Sequence, residues 1–184
     1  VTADAVAPGG IEPSTGSGPG STGGTLIVAH TTDNNLMRFR FEHATVKMRA
    51  AEEDFEAAGH KFRAGAFILS GADRAAVEPT LKSLGLSAWV VPSAPAVRTH
   101  DLDLPRIGYV HAWQRTQDEG WVRAALDTYK VPYTYFADIK LREGNLRAKY
   151  DVIVFPHVGG TAFSQINGLP MTGDPIPYKK SEIT

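Results

Sequence analysis

Residues 104–160 read LPRIGYVHAWQRTQDEGWVRAALDTYKVPYTYFADIKLREGNLRAKYDVIVFPHVGG, and this stretch decides the fold. Three short apolar runs, at residues 107–110, 133–136 and 152–155, are separated by polar segments with helical character. Short runs that are apolar on both sides and alternate with helices suit parallel strands covered on both faces. The clearest helix lies between the first two runs. Thr116 and Glu119 stand at capping-box spacing, and Asp118 adds negative charge at the positive end of the helix dipole. Trp121, Val122, Ala125, Leu126 and Tyr129 recur every three or four residues, so they form the expected sheet-facing stripe, with Arg123 and Asp127 outside it. Pro132 ends any continuation of the helix.

The reading extends outward from this core. Residues 7–24, APGGIEPSTGSGPGSTGG, are dominated by Gly, Ser, Thr and Pro, and imply a flexible linker. They have neither GK[ST] nor a following helix pattern, so a phosphate-cradling loop is not supported. Residues 25–29 form a buried-type strand. Residues 34–41 fit either a helix capped by Asp33 or Asn34 or a strand alternating Phe39 and Phe41. Val46 and Met48 alternate with Lys47 and Arg49 as a half-exposed strand would. Short strands around Phe55, Phe62 and residues 65–69 follow, with a glycine turn between the first two. A helix starts at Asp73, carries Val77, Leu81 and Leu84, and stops at Gly85; Pro79 suggests that it begins nearer Glu78. Residues 86–91 are the next strand. After Phe155 the chain becomes rich in Gly and Pro without sustained period, so a long loop at the carboxyl edge of the third run is expected.

The expected fold is therefore α/β: an open, mainly parallel sheet, incomplete at its C-terminal side and preceded by a smaller α/β segment. Residues 1–24 read as a tail or linker, 25–97 as the small α/β segment, and 98–184 as the truncated parallel domain.

Composition bounds the function. At 184 residues, 42% hydrophobic and 21% charged, the chain has ordinary globular character. A net charge of −1 with interspersed signs offers no electrostatic footprint for nucleic acid, and no apolar run is long enough to suggest a membrane span. There is no cysteine, so disulfides, thiolate metal sites and a thiol nucleophile are excluded. A sheet with only three strands in its C-terminal half leads to the expectation of a piece of a longer protein.

The phrases HDLDLPRIGYVHAW (100–113), TQDEGW (116–121), LRAKYDVIVFP (146–156) and HVGG (157–160) resemble the C-terminal region of bacterial carboxypeptidase A-like zinc peptidases. In that family a class I glutamine amidotransferase-like domain, flavodoxin-like in fold, follows the zinc peptidase domain. The resemblance covers roughly residues 25–176 and is concentrated between 100 and 160. It implies a flavodoxin-like sheet, a secreted or periplasmic location, a peptidase domain of the same parent as partner, and zinc only in that domain. It implies no cofactor for this chain. The family's zinc-binding HxxE pair is absent here, and so is the amidotransferase cysteine. Ser164, in AFSQI, does not sit in a GxSxG elbow.

Two constellations remain. His100, Asp101 and Asp103 have metal-compatible chemistry, but solvated charges ahead of an apolar strand account for them better. The second is a rim. Ligands of open parallel sheets bind beyond the carboxyl ends of the strands. His111, Trp113 and Gln114 follow the first run, Asp138 the second, and His157, Gly159 and Gly160 the third. A ligand rim would then comprise His111, Gln114, His157 and Gly159. The functional expectation is a non-catalytic accessory region of a larger zinc metallocarboxypeptidase-like protein. The alternatives are a small-ligand-binding module using this rim and a self-assembling structural protein.

Overall fold

The structure is a computed structural model of the chain, and it describes residues 10–13, 24–111, 116–156, 161 and 163, with the backbone alone for 10–13 and 138. It is a mixed α/β structure in which the larger sheet precedes the parallel one. Strands β1 (Gly10–Pro13), β2 (Thr25–Val28), β3 (Arg49–Ala51), β6 (Phe67–Ser70), β7 (Ser87–Val91) and β8 (Thr99–Asp101) form a six-stranded sheet in the order β1-β7-β2-β6-β3-β8. Only the β1–β7 pair is parallel; the other four pairings are antiparallel. Strands β4 (Phe55–Ala57) and β5 (His60–Phe62) make a separate hairpin.

Alternation along the central strands separates two apolar faces. Leu26, Val28, Phe67, Leu69, Ala88 and Val90 pack with Leu36 and Phe39 of helix α1 (Asn35–Glu42) and with Val77 and Leu81 of helix α2 (Arg74–Ser83). Ile27 and Val91 point the other way and pack with Phe62, Phe55 and Trp89, so the hairpin covers part of the second face. Both faces of the middle strands are thereby removed from water, which is why 26–28 and 67–69 are apolar throughout.

Local signals account for the helix ends. The 34–41 ambiguity resolves as helix, with Asn35 N–H donating to Asp33 Oδ1 at 2.8 Å. Asp73 caps α2 by accepting from Ala75 N–H at 3.0 Å. Gly85 has φ +68°, the left-handed stop expected after Leu84. Pro79 lies inside α2 rather than near its start; burial of Val77 and Leu81 outweighs the missing N–H.

Four sequence expectations change here. Residues 1–24 are not linker throughout, because β1 pairs in parallel with β7. The residues around Val46 and Met48 precede a strand instead of forming one; β3 begins at Arg49, although Met48 is buried. The segment before the parallel sheet is the larger, mainly antiparallel part of the structure. The HDLD stretch contributes β8 to that part, pairing Arg49 with Asp101 and Ala50 with His100.

Beyond β8 the C-terminal unit follows the expected grammar. Strands β9 (Ile107–Val110), β10 (Thr134–Phe136) and β11 (Val152–Val154) form a parallel sheet in the order β10-β9-β11. Helix α3 (Thr116–Thr128) connects the first two, and α4 (Asp138–Arg142) with α5 (Leu146–Lys149) connects the second and third. Because β10 and β11 lie on opposite sides of β9, right-handed crossovers send their helices to opposite faces. The packing agrees. Tyr109 and Tyr135, paired in register, face α3, whereas Phe136 stacks on Tyr150 beneath Gly108 on the other face. At the amino edge Arg106 clamps β9 to β11: it donates through its backbone N–H and guanidinium to Asp151 and through Nη1 to the carbonyl of Ala148. This holds the Asp151 carboxyl far below the ordinary carboxylate range, chiefly through the Arg106 hydrogen bonds.

Candidate functional site: a buried carboxylate at the carboxyl edge

The sheet-facing side of α3 differs from the apolar stripe read in the sequence. Trp121 is 69% exposed and Val122 also faces solvent, while Glu119 is 3% exposed and is the buried residue of the helix. Glu119, Arg123 and Leu126 are the less exposed positions along α3, at helical spacing, so the contact side is rotated from the expected stripe. Polar side chains can occupy this side because Tyr109 and Tyr135 present hydroxyls along it. Thr116 is already the first helical residue, and the Glu119 carboxylate is engaged with the sheet. The capping-box reading of Thr116 and Glu119 therefore gives way to a tertiary role for Glu119.

That role centres on His111, the residue after β9. Its backbone N–H donates to the carbonyl of Phe136 at 2.7 Å, extending the ladder by one residue and anchoring the imidazole at the strand end. His111 Nδ1 lies 3.1 and 3.0 Å from the two oxygens of Glu119 and 2.7 Å from the Tyr135 hydroxyl. The Tyr135 hydroxyl also donates to Glu119 Oε1. Tyr109 Oη reaches the backbone carbonyl of Glu119 at 3.4 Å.

The electrostatics follow from burial. A carboxylate removed from water is costly unless hydrogen-bonded, and here the imidazole, the phenol and the positive end of α3 compensate it. Burial, then the hydrogen bond to Glu119 and its charge, raise the pKa of Tyr135. Burial is also the leading cause of the rise at Tyr109. Arg123 closes the cluster from the helix side. Its guanidinium sits 4.1 Å from the centre of the Tyr135 ring, and its Nε donates to Tyr133 Oη at 3.4 Å. Tyr133 Oη donates in turn to Asp127 Oδ1 at 3.0 Å.

Of the residues expected at a rim, His111 is at the carboxyl edge of β9, and Asp138 opens α4 just beyond β10. Trp113, Gln114, His157, Gly159 and Gly160 lie outside the described residues, as does nearly all of the loop expected after Phe155. The sequence reading missed Glu119, Tyr135, Tyr109 and Arg123 as members of one cluster. A signal was present: tyrosines at alternate positions 133 and 135 place two hydroxyls along one strand, and Glu119 and Arg123 are one helical turn apart.

The other constellation separates. His100 Nδ1 lies 3.4 Å from Glu52 and Asp101 pairs with Arg49 at 3.1 Å, all with exposed side chains. Among the described residues no group of three or more His, Asp or Glu side chains is placed to hold a metal ion, and no helix is long and apolar enough to cross a membrane. Comparison of the chain with family models, curated proteins and solved structures finds no match.

Proposed function

We propose that this chain is a non-catalytic accessory α/β region of a larger zinc carboxypeptidase-like protein, and that its parallel unit docks on the peptidase domain of that parent. The resemblance of residues 100–160 supports the choice of parent and, with it, a secreted or periplasmic setting. The observation that carries docking is the state of β11. Parallel strands are ordinarily covered on both faces. In β11 and just beyond it, however, Val152, Ile153 and Phe155 are 44%, 36% and 56% exposed. Apolar surface gathered on one edge strand marks an interaction site. Amidotransferase chemistry has no support, because the chain holds no cysteine to serve as nucleophile. Hydrogen exchange tests the reading. In the complete parent protein, amides 152–155 should exchange markedly more slowly than in this chain alone. Equal rates would remove the docking surface.

One observation favours a second reading, a small-ligand-binding module. A buried carboxylate bonded to an imidazole at the carboxyl edge of a parallel sheet is costly to build for packing alone, and this edge is where such sheets take ligands. A thermal-shift screen of small metabolites is the test. Stabilisation by a compound that is lost in His111→Asn supports it, and stabilisation unaffected by that change refers binding to another surface.

A further inference from the structure

We propose that the carboxyl end of α1 is an acid-sensitive latch between the two sheets: protonation of His43 frees this corner, and the parallel unit then swings on the link after Leu102.

The two bodies have separate interiors. Among the described residues, neither apolar cluster of the larger sheet includes a residue beyond Leu102. The link, residues 102–106, has no regular structure. Polar contacts bridge it. Lys130, just beyond α3, places Nζ 2.8 Å from Glu42 Oε1 on the last turn of α1, and Asn34 Nδ2 donates to Tyr129 Oη at 3.4 Å. Units joined by polar contacts rather than a shared core move relative to each other by default. Arg40, in the same last turn, donates through Nε and Nη2 to the carbonyl of Leu102 at 2.9 and 2.6 Å, so this turn also holds the start of the link.

His43 closes that turn. Its backbone N–H donates to the carbonyl of Phe39, and its own carbonyl accepts from Arg40 Nη1 and from the Val46 N–H, each at 3.1 Å. Its ring centre lies 4.8 Å from that of Phe39, which is fully buried in the larger core. Its Nε2 is shut off from water and has no hydrogen-bond partner among the described residues. A neutral ring can leave Nε2 as a bare lone pair, but in the imidazolium both nitrogens are donors. Protonation therefore places a charged N–H where no acceptor stands, which costs far more than an unused lone pair.

Two effects oppose this, the adjacent Glu42 and the negative end of α1. Burial outweighs Glu42 and lowers the His43 pKa from its ordinary value. A depressed imidazole contributes stability that is present above the ordinary value of about 6.5 and is lost as pH falls toward the folded one. The other charged groups at the corner are Arg38, Arg40 and Glu42 on α1, Asp103 beyond β8, and Lys130. Lys130 first and then Arg38 hold Glu42 below the ordinary carboxylate range, so it stays ionised in mild acid and the imidazole is the group that switches. The imidazolium reaches water when the last turn of α1 gives way, which draws Glu42 from Lys130 and Arg40 from Leu102.

Distances between spin labels test the swing. The chain holds no cysteine, so Ala76→Cys on α2 and Ala124→Cys on α3, both at exposed positions, place one label on each unit of the full chain. One narrow distance is expected at about pH 7.5 and a second population at about pH 5, values on either side of the ordinary imidazole pKa. His43→Gln should keep the single distance at both. Lys130→Ala, at an exposed side chain, should show the second population already at the higher pH. A labelled parent that keeps one distance in acid, or a second population that persists in His43→Gln, would refute the acid response. A single distance in Lys130→Ala at the higher pH would refute the latch. Far-UV circular dichroism should be unchanged at the lower pH, and loss of secondary structure there would mean unfolding in place of a swing. The His43 ring, followed by NMR in the parent, should titrate below the ordinary value; titration at or above it would overturn the proposal even if His43→Gln does not fold.

Discussion

Gly108 is the position where a single methyl group reports on the parallel sheet. It lies in the central strand, and a Cβ built there would sit 2.7 Å from Phe136 Cε1 and 3.1 Å from Tyr150 Cδ1 and Cγ. Neither ring can move freely. Phe136 is buried, and the two rings stack with centroids 5.0 Å apart and planes within 17°. Two effects oppose each other in Gly108→Ala. Restricting the unfolded chain stabilises by about 0.4–1 kcal/mol. Forcing a methyl into filled space costs about 1–3 kcal/mol. At 2.7 Å the steric effect wins, so a net loss of roughly 1–2 kcal/mol is expected from these two ranges. With a urea slope of about 2 kcal/mol/M, the midpoint should fall by roughly 0.5–1 M. Unfolding followed by circular dichroism measures the shift, and Phe136→Leu, which trades the ring for a smaller side chain, should recover part of it in the double variant. A Gly108→Ala chain as stable as its parent, or more so, would falsify the placement of Tyr150 and Phe136 over β9.

Three further outcomes are expected. Gly85→Ala has no neighbour to strike, so its cost is conformational alone, about 1–2 kcal/mol for a left-handed alanine, and a neutral urea midpoint would contradict the helix stop. On α3, Trp121→Ala should change stability by no more than about 0.5 kcal/mol, as an exposed site does. Arg123→Ala should cost more than Trp121→Ala through the lost Tyr135 and Tyr133 contacts, and equal urea midpoints would return the helix to its apolar-stripe orientation. The Arg106–Asp151 clamp should show in the pH profile. The folded carboxyl pKa is depressed, so its stabilisation is present above the ordinary unfolded value, about 3.9, and is lost as pH falls toward the folded one. The stability difference between the parent chain and Asp151→Asn should therefore hold from pH 7 to roughly 4.5 and shrink in stronger acid; a difference that grows on acidification would reverse the sign.

The parallel unit was legible because its strands obey local rules. β9 matches its apolar run residue for residue, β10 and β11 fall within theirs, and α3 lies between the first two. The face of α3 was not legible. Hydrophobic periodicity places the apolar stripe inward only when the partner surface is apolar, and the sheet offers α3 tyrosine hydroxyls. The same blindness hid the site: a glutamate four residues into a helix reads as a cap unless its distant partners, His111 and Tyr135, are known to stand above it. The antiparallel sheet escaped for another reason. Its strands are apolar on both sides like parallel ones, since helices cover one face and the hairpin part of the other, and nothing local to 10–13 or 99–101 announces a partner far along the chain.

The strand order has a kinetic consequence. In the six-stranded sheet Thr25 pairs with Val91 and Gly10 with Ser87, so its central pairings wait until most of that half of the chain is available, and each closes a long loop. In the parallel unit β9 meets β10 across helix α3 and the two connections that flank it, a much more local closure. Folding rate falls as contacts become more distant in sequence. The two sheets should therefore mature on different timescales, with the parallel unit first. The polar links between α1 and the end of α3, Lys130 to Glu42 and Asn34 to Tyr129, would then be the last contacts to form and the first to open.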